Sequence, residues 1–273
     1  MTVNNLKGHV LYICYFGLRE PLVQTQVLPY LRELRDGGMK ISILTFETDP
    51  KNTWSDEDVK NEKQTLADEG IDWHFLTYHK SPTVPATIYD VLLGAYFSWK
   101  FMRREEIDII HARVHVPALM GALAKKFSSS KTKLLFDIRG FFPEEYTDAG
   151  RWKENGMIYR SVKRVEKWLL KESDGFVVLT ENARQILFPE SKETGADRLG
   201  RPVEVIPCCV DLARFQRADK RFTSRFSEEN GLYGRLVIAY VGAFGGWYLT
   251  QETIDFLKAA KHKRSEVFAL ILT

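Results

Sequence analysis

His9–Phe46 reads HVLYICYFGLREPLVQTQVLPYLRELRDGGMKISILTF, and the order of its parts decides the fold class. Its opening, His9–Phe16, is an apolar run rich in aromatic and β-branched residues, the composition of a strand buried on both faces. From Gln24 to Arg35 the apolar residues Val27, Leu28, Leu31 and Leu34 fall at helical spacing, and Gly37-Gly38 ends that helix. Lys40–Phe46 (KISILTF) is a second buried strand. Two such strands joined through a helix form a parallel pair with a crossover.

The same alternation continues outward. Ser55 opens a polar helix, with Asp58 three residues on as a variant of the capping box. Ile71–Thr77 is a strand, Thr87–Glu105 a long amphipathic helix, Ile107–His111 a short buried strand and Val116–Phe127 a helix. Lys133–Ile138 (KLLFDI), Gly175–Leu179 (GFVVL) and Val203–Ile206 read as strands, with helices at Met157–Glu172 and Glu181–Leu187. Strand and helix alternate about seven times, which predicts an α/β fold with a parallel sheet and helices on both faces. A boundary is expected near Pro207–Phe215, giving a first domain over 1–207 and a second over 208–273. The second holds a strand at Leu236–Val241, a helix at Thr250–Lys261 and a strand at Val267–Leu272. One β-α-β unit cannot cover both faces of its own sheet, so the second domain is expected to be incomplete.

Composition bounds the function. With 44% hydrophobic and 27% charged residues and a formal charge of +3, the chain has an ordinary globular composition. That balance is too weak by itself to argue for a nucleic-acid binder, which presents a concentrated basic face, and no nucleic-acid partner is expected. Cys14, Cys208 and Cys209 match neither a metal spacing nor a disulfide framework, and reduced thiols are expected. No signal peptide is evident, and no stretch reaches the roughly 18 apolar residues of a membrane span. The expected location is the cytoplasm, with peripheral contact at the inner membrane face left open. Met157–Glu172 carries Arg160, Lys163, Arg164, Lys167 and Lys171 beside an apolar stripe; it reads as a bilayer-surface helix or, preferably, as a core helix with a solvated basic face.

In open α/β sheets, ligands bind beyond the carboxyl ends of the strands, which directs attention to the loops there. After the first strand, Gly17, Arg19, Gln24 and Thr25 offer a flexible backbone, a cation and amide groups suited to phosphate or sugar hydroxyls. A plain turn in which Gln24 or Thr25 caps the helix explains them equally. The Gly-x-Gly-x-x-Gly dinucleotide fingerprint is absent. After the fourth strand stand His111, Arg113 and His115, suited to proton handling or anion contact, or to one structural histidine and a solvated arginine. Asp137 and Arg139 follow the fifth strand, as a substrate-orienting pair or a loop brace. Metal ligation is not expected, because these histidines lack acidic or thiol partners at suitable spacing. In Gly242-Ala243-Phe244-Gly245-Gly246-Trp247, the glycines permit close approach to a diphosphate, and Trp247 is placed to stack on a base or to pack the domain edge.

Four sets of strings carry a family resemblance: EPLVQTQVLPYLREL (Glu20–Leu34); HARVHVPALM (His111–Met120) with FDIRGFFPEE (Phe136–Glu145); VIPCCVDLARF (Val205–Phe215); and YVGAFGGWYL (Tyr240–Leu249). In order and spacing they resemble the family 4 glycosyltransferases of the GT-B fold, in particular the branch serving polysaccharide biosynthesis. The resemblance implies a Rossmann-like N-terminal domain on the acceptor side and a second Rossmann-like domain, here cut short, for a nucleotide-sugar donor. It implies sugar transfer with retention of configuration, in the cleft between domains, onto a glycan or lipid-linked acceptor, as in a hexosyltransferase, with no metal and no resident cofactor. His111, Arg113, Asp137 and Arg139 would be the catalytic group. Gly17, Arg19, Gln24, Gly242, Gly245, Gly246 and Trp247 would contact the donor. Two departures stand out. Ala243 and Phe244 occupy positions where many members carry an Arg and a nearby Lys on the diphosphate, and the acidic donor-ribose motif would lie past Thr273. The rival readings are a non-catalytic acceptor-binding module and a sugar-nucleotide epimerase of the same fold.

Overall fold

A computed structural model describes residues 6–128, 131–210, 220–245 and 248–273. The chain divides into two compact units, Met1–Pro143 with Glu154–Val210, and Glu144–Lys153 with Asp211–Thr273.

The first unit is built on a seven-stranded sheet: β1 (His9–Ile13), β2 (Lys40–Thr48), β3 (Ile71–Tyr78), β4 (Ile109–Arg113), β5 (Lys133–Ile138), β6 (Gly175–Val178) and β7 (Val203–Val205). Their order is β3-β2-β1-β4-β5-β6-β7, and every neighbouring pair is parallel. The expected Rossmann-like sheet is therefore present. Helices α1 (Leu28–Asp36) and α3 (Asp56–Asp68) cover one face, with the short α2 (Pro50–Thr53) between them in sequence; α4 (Thr83–Arg104), α5 (His115–Lys126) and α7 (Met157–Glu172) cover the other, the short α6 (Phe142–Asp148) preceding α7 in sequence. Along β1 the side chains alternate: Leu11 and Ile13 enter the core beside α4 and α5, while Val10, Tyr12 and Cys14 enter the core beside α1 and α3. The period-2 alternation of the strands thus produces two cores, and each large side chain buried in them contributes roughly 1.5–3 kcal/mol.

Two expected helices are corrected at their starts, both around proline. The helix expected from Gln24 begins as a π turn, Val23–Val27, and becomes α-helical at Leu28. Leu28 N–H donates to Val23 O, five residues back. Pro29 follows at once and has no N–H to continue the i−4 ladder, so the wide turn forms where that donor is missing. The helix expected from Thr87 starts at Thr83, because Pro85 falls in the first turn, where an N–H has no intrahelical acceptor. The Ser55–Asp58 capping box forms in both directions.

Met157–Glu172 is a core helix. Leu169 is buried, and Val165, Trp168 and Leu170 pack on the main core. Cys14 is buried, which pushes its pKa up to about 12, while Cys208 and Cys209 are exposed and free. No helix among the described residues is long and apolar enough to cross a membrane.

In the second unit, β8 (Leu236–Val241) and β9 (Val267–Leu272) pair in parallel from Leu236↔Val267 to Val241↔Leu272. The helix Thr250–Lys263 connects them, and a helix at Lys220–Glu229 precedes them.

Candidate active site at the carboxyl edge of the sheet

Strands β1 to β3 wind to one side, and β4 then returns to the other side of β1. The order reverses between β1 and β4, and a crevice beyond the carboxyl ends of those two strands is where such sheets take ligands.

Parallel register gathers the expected residues there. His111 and Arg113 are two apart on β4 and share a face, as do Asp137 and Arg139 leaving β5. Arg113 is in register with Asp137, and Tyr12 of β1 with His111. Asp137 is fully buried. His111 Nε2 lies 3.3 Å from its Oδ2, Arg113 Nη1 4.0 Å from the same oxygen, and Arg139 Nε 2.7 Å from Oδ1. Burial opposes ionisation of Asp137, but the hydrogen bond from His111 and the charges of His111, Arg139 and Arg113 outweigh it and hold its pKa below the usual carboxylate range. Tyr12 and Tyr30 enclose the imidazole of His111, with ring centroids at 4.5 and 5.4 Å. Burial pushes the Tyr12 phenol up, so this hydroxyl stays neutral.

The cations differ in access. Arg113 is 4% exposed, and its Nη2 donates to Gln26 Oε1 at 2.8 Å. Arg139 is 14% exposed, and among the described residues its two terminal nitrogens carry no hydrogen bond. The cluster is thus one carboxylate balancing three basic side chains, with a single guanidinium left able to meet an anion.

His115, expected beside His111, is separated from it. It opens α5 and turns to the other face, where Nε2 lies 3.3 Å from Glu166 Oε1 of α7 and the ring stacks on Phe142 at 5.3 Å. Between the two histidines Val114 holds φ 63°, a conformation that costs a β-branched residue about 1–3 kcal/mol. Its N–H donates to Asp137 O at 2.9 Å, which fixes the turn against β5. Strained backbone of this kind collects at functional sites.

The loop after β1 is braced from within. Gln24 Nε2 donates to Leu18 O at 2.8 Å, and Thr25 Oγ1 to Pro21 O at 2.7 Å, so neither side chain caps the helix N-terminus. Arg19 lies flat over Trp54, its guanidinium carbon 3.7 Å from the ring centroid, and Nη1 donates to Thr53 O. Gly17 sits against Glu47, where an added Cβ would meet Oε2 at 2.8 Å. Two residues outside the sequence-derived set organise this edge. Gln26, carried on the π turn, holds Arg113. Glu47, buried at the end of β2, accepts from Leu18 N–H at 2.8 Å, from Thr45 Oγ1 and from Trp54 Nε1 at 3.1 Å. A charge so near a strand end, two residues after a threonine on the same face, was the legible signal for Glu47. Glu47→Ala strands the Leu18 and Trp54 donors, and we expect a loss of about 2–4 kcal/mol in urea unfolding at neutral pH.

In the second unit, Gly245 has φ 83°, which favours glycine, and its N–H donates to Thr250 Oγ1 at 2.8 Å. Gly242 N–H donates to Leu272 O, so both amides are engaged within the unit. Tyr240 and Phe244 stack in parallel with centroids at 4.9 Å. Gly246 and Trp247 lie outside the described residues. Among the described residues no group of three or more His, Cys, Asp or Glu side chains is gathered to hold a metal.

Solved structures share this architecture. A glycosyltransferase from Rickettsia africae superposes with a TM-score of 0.59 at 16% identity, covering 98% of this chain and 60% of its own. Arabidopsis thaliana UGT89C1, complexed with UDP-L-rhamnose, gives 0.56 at 14% identity over 98% of this chain and 70% of its own. A Listeria monocytogenes protein described as a UDP-N-acetylglucosamine 2-epimerase gives 0.56 at 14% identity, covering 98% and 63%. At these identities the likeness is one of fold, the GT-B fold with its Rossmann-like parallel sheet. This chain spans 60% of the length of the Rickettsia protein. No curated protein matches it significantly. The sequence model of Glycosyltransferase Family 4 matches residues 23–214, from the π turn that carries Gln26 to beyond β7, and over that span, the greater part of its length, the chain belongs to this family.

Proposed function

We propose that the protein transfers a sugar from a nucleoside diphosphate donor to a glycan or lipid-linked acceptor, with retention of anomeric configuration, as a step of polysaccharide biosynthesis. The observation that carries this reading is Arg139: a guanidinium at the switch-point edge of the sheet, anchored through Nε by a buried aspartate, with its terminal nitrogens unengaged among the described residues. A planar fork held this way suits the paired oxygens of a phosphate.

In this reading Arg139 takes the charge that develops on the departing diphosphate. Asp137 acts through it, fixing the guanidinium and keeping it charged. Arg113, held by Gln26 and Asp137, adds positive potential from beneath. His111 is buried at 2% exposure and serves to hold Asp137. The diphosphate charge is met by arginine, without a metal or a resident cofactor. The Gly242–Gly245 turn belongs to the donor side, with Ala243 and Phe244 where the family often carries charged residues.

The test is a thermal-shift series with UDP, GDP, ADP and inorganic pyrophosphate. A true donor nucleotide at about 100 times its Kd stabilises by about 2.7 kcal/mol. For a chain of this size that is a rise of roughly 5–10 °C. A flat response to every nucleoside diphosphate overturns the donor assignment. Incubating the stabilising sugar nucleotide with and without acceptor then separates transfer from epimerisation, since only an epimerase converts the donor alone into a second sugar nucleotide.

A further inference from the structure

Helix α4 turns an uncharged face to solvent. Its inward positions, among them Ala86, Asp90, Gly94 and Ser98, are buried against the sheet and α5. On the opposite side Val84, Ile88, Tyr89, Leu92 and Tyr96 are each more than half exposed. Trp99 continues the row: its ring lies 5.9 Å from that of Tyr96, and its Nε1 donates at 3.1 Å to the carbonyl of Phe127, whose side chain is 75% exposed. From Pro82 to Trp99 the one charged residue is Asp90, which points inward, fully buried, and takes hydrogen bonds from Tyr15 and His79. A surface helix ordinarily carries charge on its outer face, and an apolar row of this length marks a contact surface.

Cations bracket the row. Lys80 precedes the helix, Lys100 and Arg103 stand exposed on its last turns, and Lys126 is exposed beside Phe127. The Arg103 guanidinium lies 5.1 Å from the Trp99 ring centroid. Glu105, just past the helix, is already paired with Lys40 at 2.9 Å.

We propose that this face of α4 docks on the surface of an anionic lipid bilayer. The helix lies along the interface, its aliphatic residues entering about 5–10 Å to the acyl boundary. Tyr89, Tyr96 and Trp99 sit at headgroup depth, where amphipathic rings are favoured. Lys100, Arg103 and Lys126 meet the anionic headgroups. Charge complementarity selects this occupant. A second copy of the chain would bring the same cations to the contact, where exposed Lys100, Arg103, Arg104 and Lys126 outnumber the exposed Glu106 past the helix end. The surface differs from Met157–Glu172, whose apolar stripe is spent on the core. The inference is independent of the transfer reading, since vesicle binding requires neither donor nor turnover.

Vesicle flotation of the whole chain tests it, using pure phosphatidylcholine and phosphatidylcholine mixed with phosphatidylglycerol. The chain is expected to float with the mixed vesicles, to bind the neutral ones far less, and to be released by salt. The double variant Ile88→Ser/Leu92→Ser is expected to lower binding about tenfold or more, with an unchanged unfolding midpoint because both positions are exposed. The charge-reversal pair Lys100→Glu/Arg103→Glu leaves the apolar row intact and is expected to remove the preference for the anionic vesicles. A chain that stays unbound with both compositions, or binds both equally, overturns the proposal. So does sedimentation as a dimer that the serine pair dissociates.

Discussion

Asp137→Asn is expected to destabilise the first unit by about 3–5 kcal/mol at neutral pH, the cost of leaving buried cations without their counter-charge. Asparagine keeps the shape of the side chain, so the loss isolates charge from packing. Among the described residues Arg113, at 4% exposure, pairs with no second carboxylate, and Gln26 offers it only a neutral acceptor. The pH dependence has a definite sign. The folded pKa of Asp137 is depressed, so its contribution is fully present above the unfolded value of about 3.9 and is lost as pH falls through the folded value. The gap between wild type and variant should therefore be constant from neutral pH down to about 5 and close progressively in stronger acid. Urea unfolding followed by tryptophan fluorescence reads it, since Trp54 and Trp73 are buried in this unit. A second substitution, Arg113→Gln, should recover part of the loss by removing the stranded cation. If Asp137→Asn costs under about 1 kcal/mol, the cluster behaves as a solvated surface pair and the electrostatic account of the site fails.

What could be read in the sequence was whatever depended on periodicity and strand register. Lys133–Ile138, Met157–Glu172, Glu181–Leu187, Leu236–Val241 and Val267–Leu272 form with the expected ends, because each is a run of one period bounded by a break. The meeting of His111, Arg113, Asp137 and Arg139 follows the same logic: residues two apart share a face of a strand, and parallel neighbours place those faces side by side. His115 left the cluster because the period changes there from strand to helix. Contacts that join distant segments through irregular backbone were out of reach. The partnership of Arg113 with Gln26 depends on a π turn imposed by Pro29, which rotates the side chains before it relative to an α-helix. Arg19 reads in the sequence as a loop cation suited to phosphate, yet its place over Trp54 is set by a separate turn after β2. For Glu47 the sequence signals only a charge near a strand end; the donors of Leu18 and Trp54 reach it through the loops after β1 and β2, whose course no periodicity specifies.

Arg139→Ala should lower kcat for sugar transfer by about 10²–10³ while leaving the fold intact, the size of effect found when one preorganised donor to a developing negative charge is removed. The preservation of the fold follows from the geometry. Asp137 retains His111 at 3.3 Å and Arg113 at 4.0 Å, so the aspartate stays compensated when Arg139 is gone. This separates the two substitutions in the ion cluster: loss of Asp137 is read mainly in stability, loss of Arg139 mainly in turnover. Arg139→Lys supplies the charge without the fork and should recover only part of the rate, because an ammonium cannot hold Asp137 through one nitrogen while presenting two others to a phosphate. The split between kinetic constants decides the role. If Arg139 meets charge that appears only as the diphosphate departs, kcat and kcat/KM fall together; a rise in KM alone would assign it to binding of the ground-state donor. Turnover unchanged in a correctly folded Arg139→Ala protein would remove this arginine from the reaction and return the Asp137 cluster to a structural role.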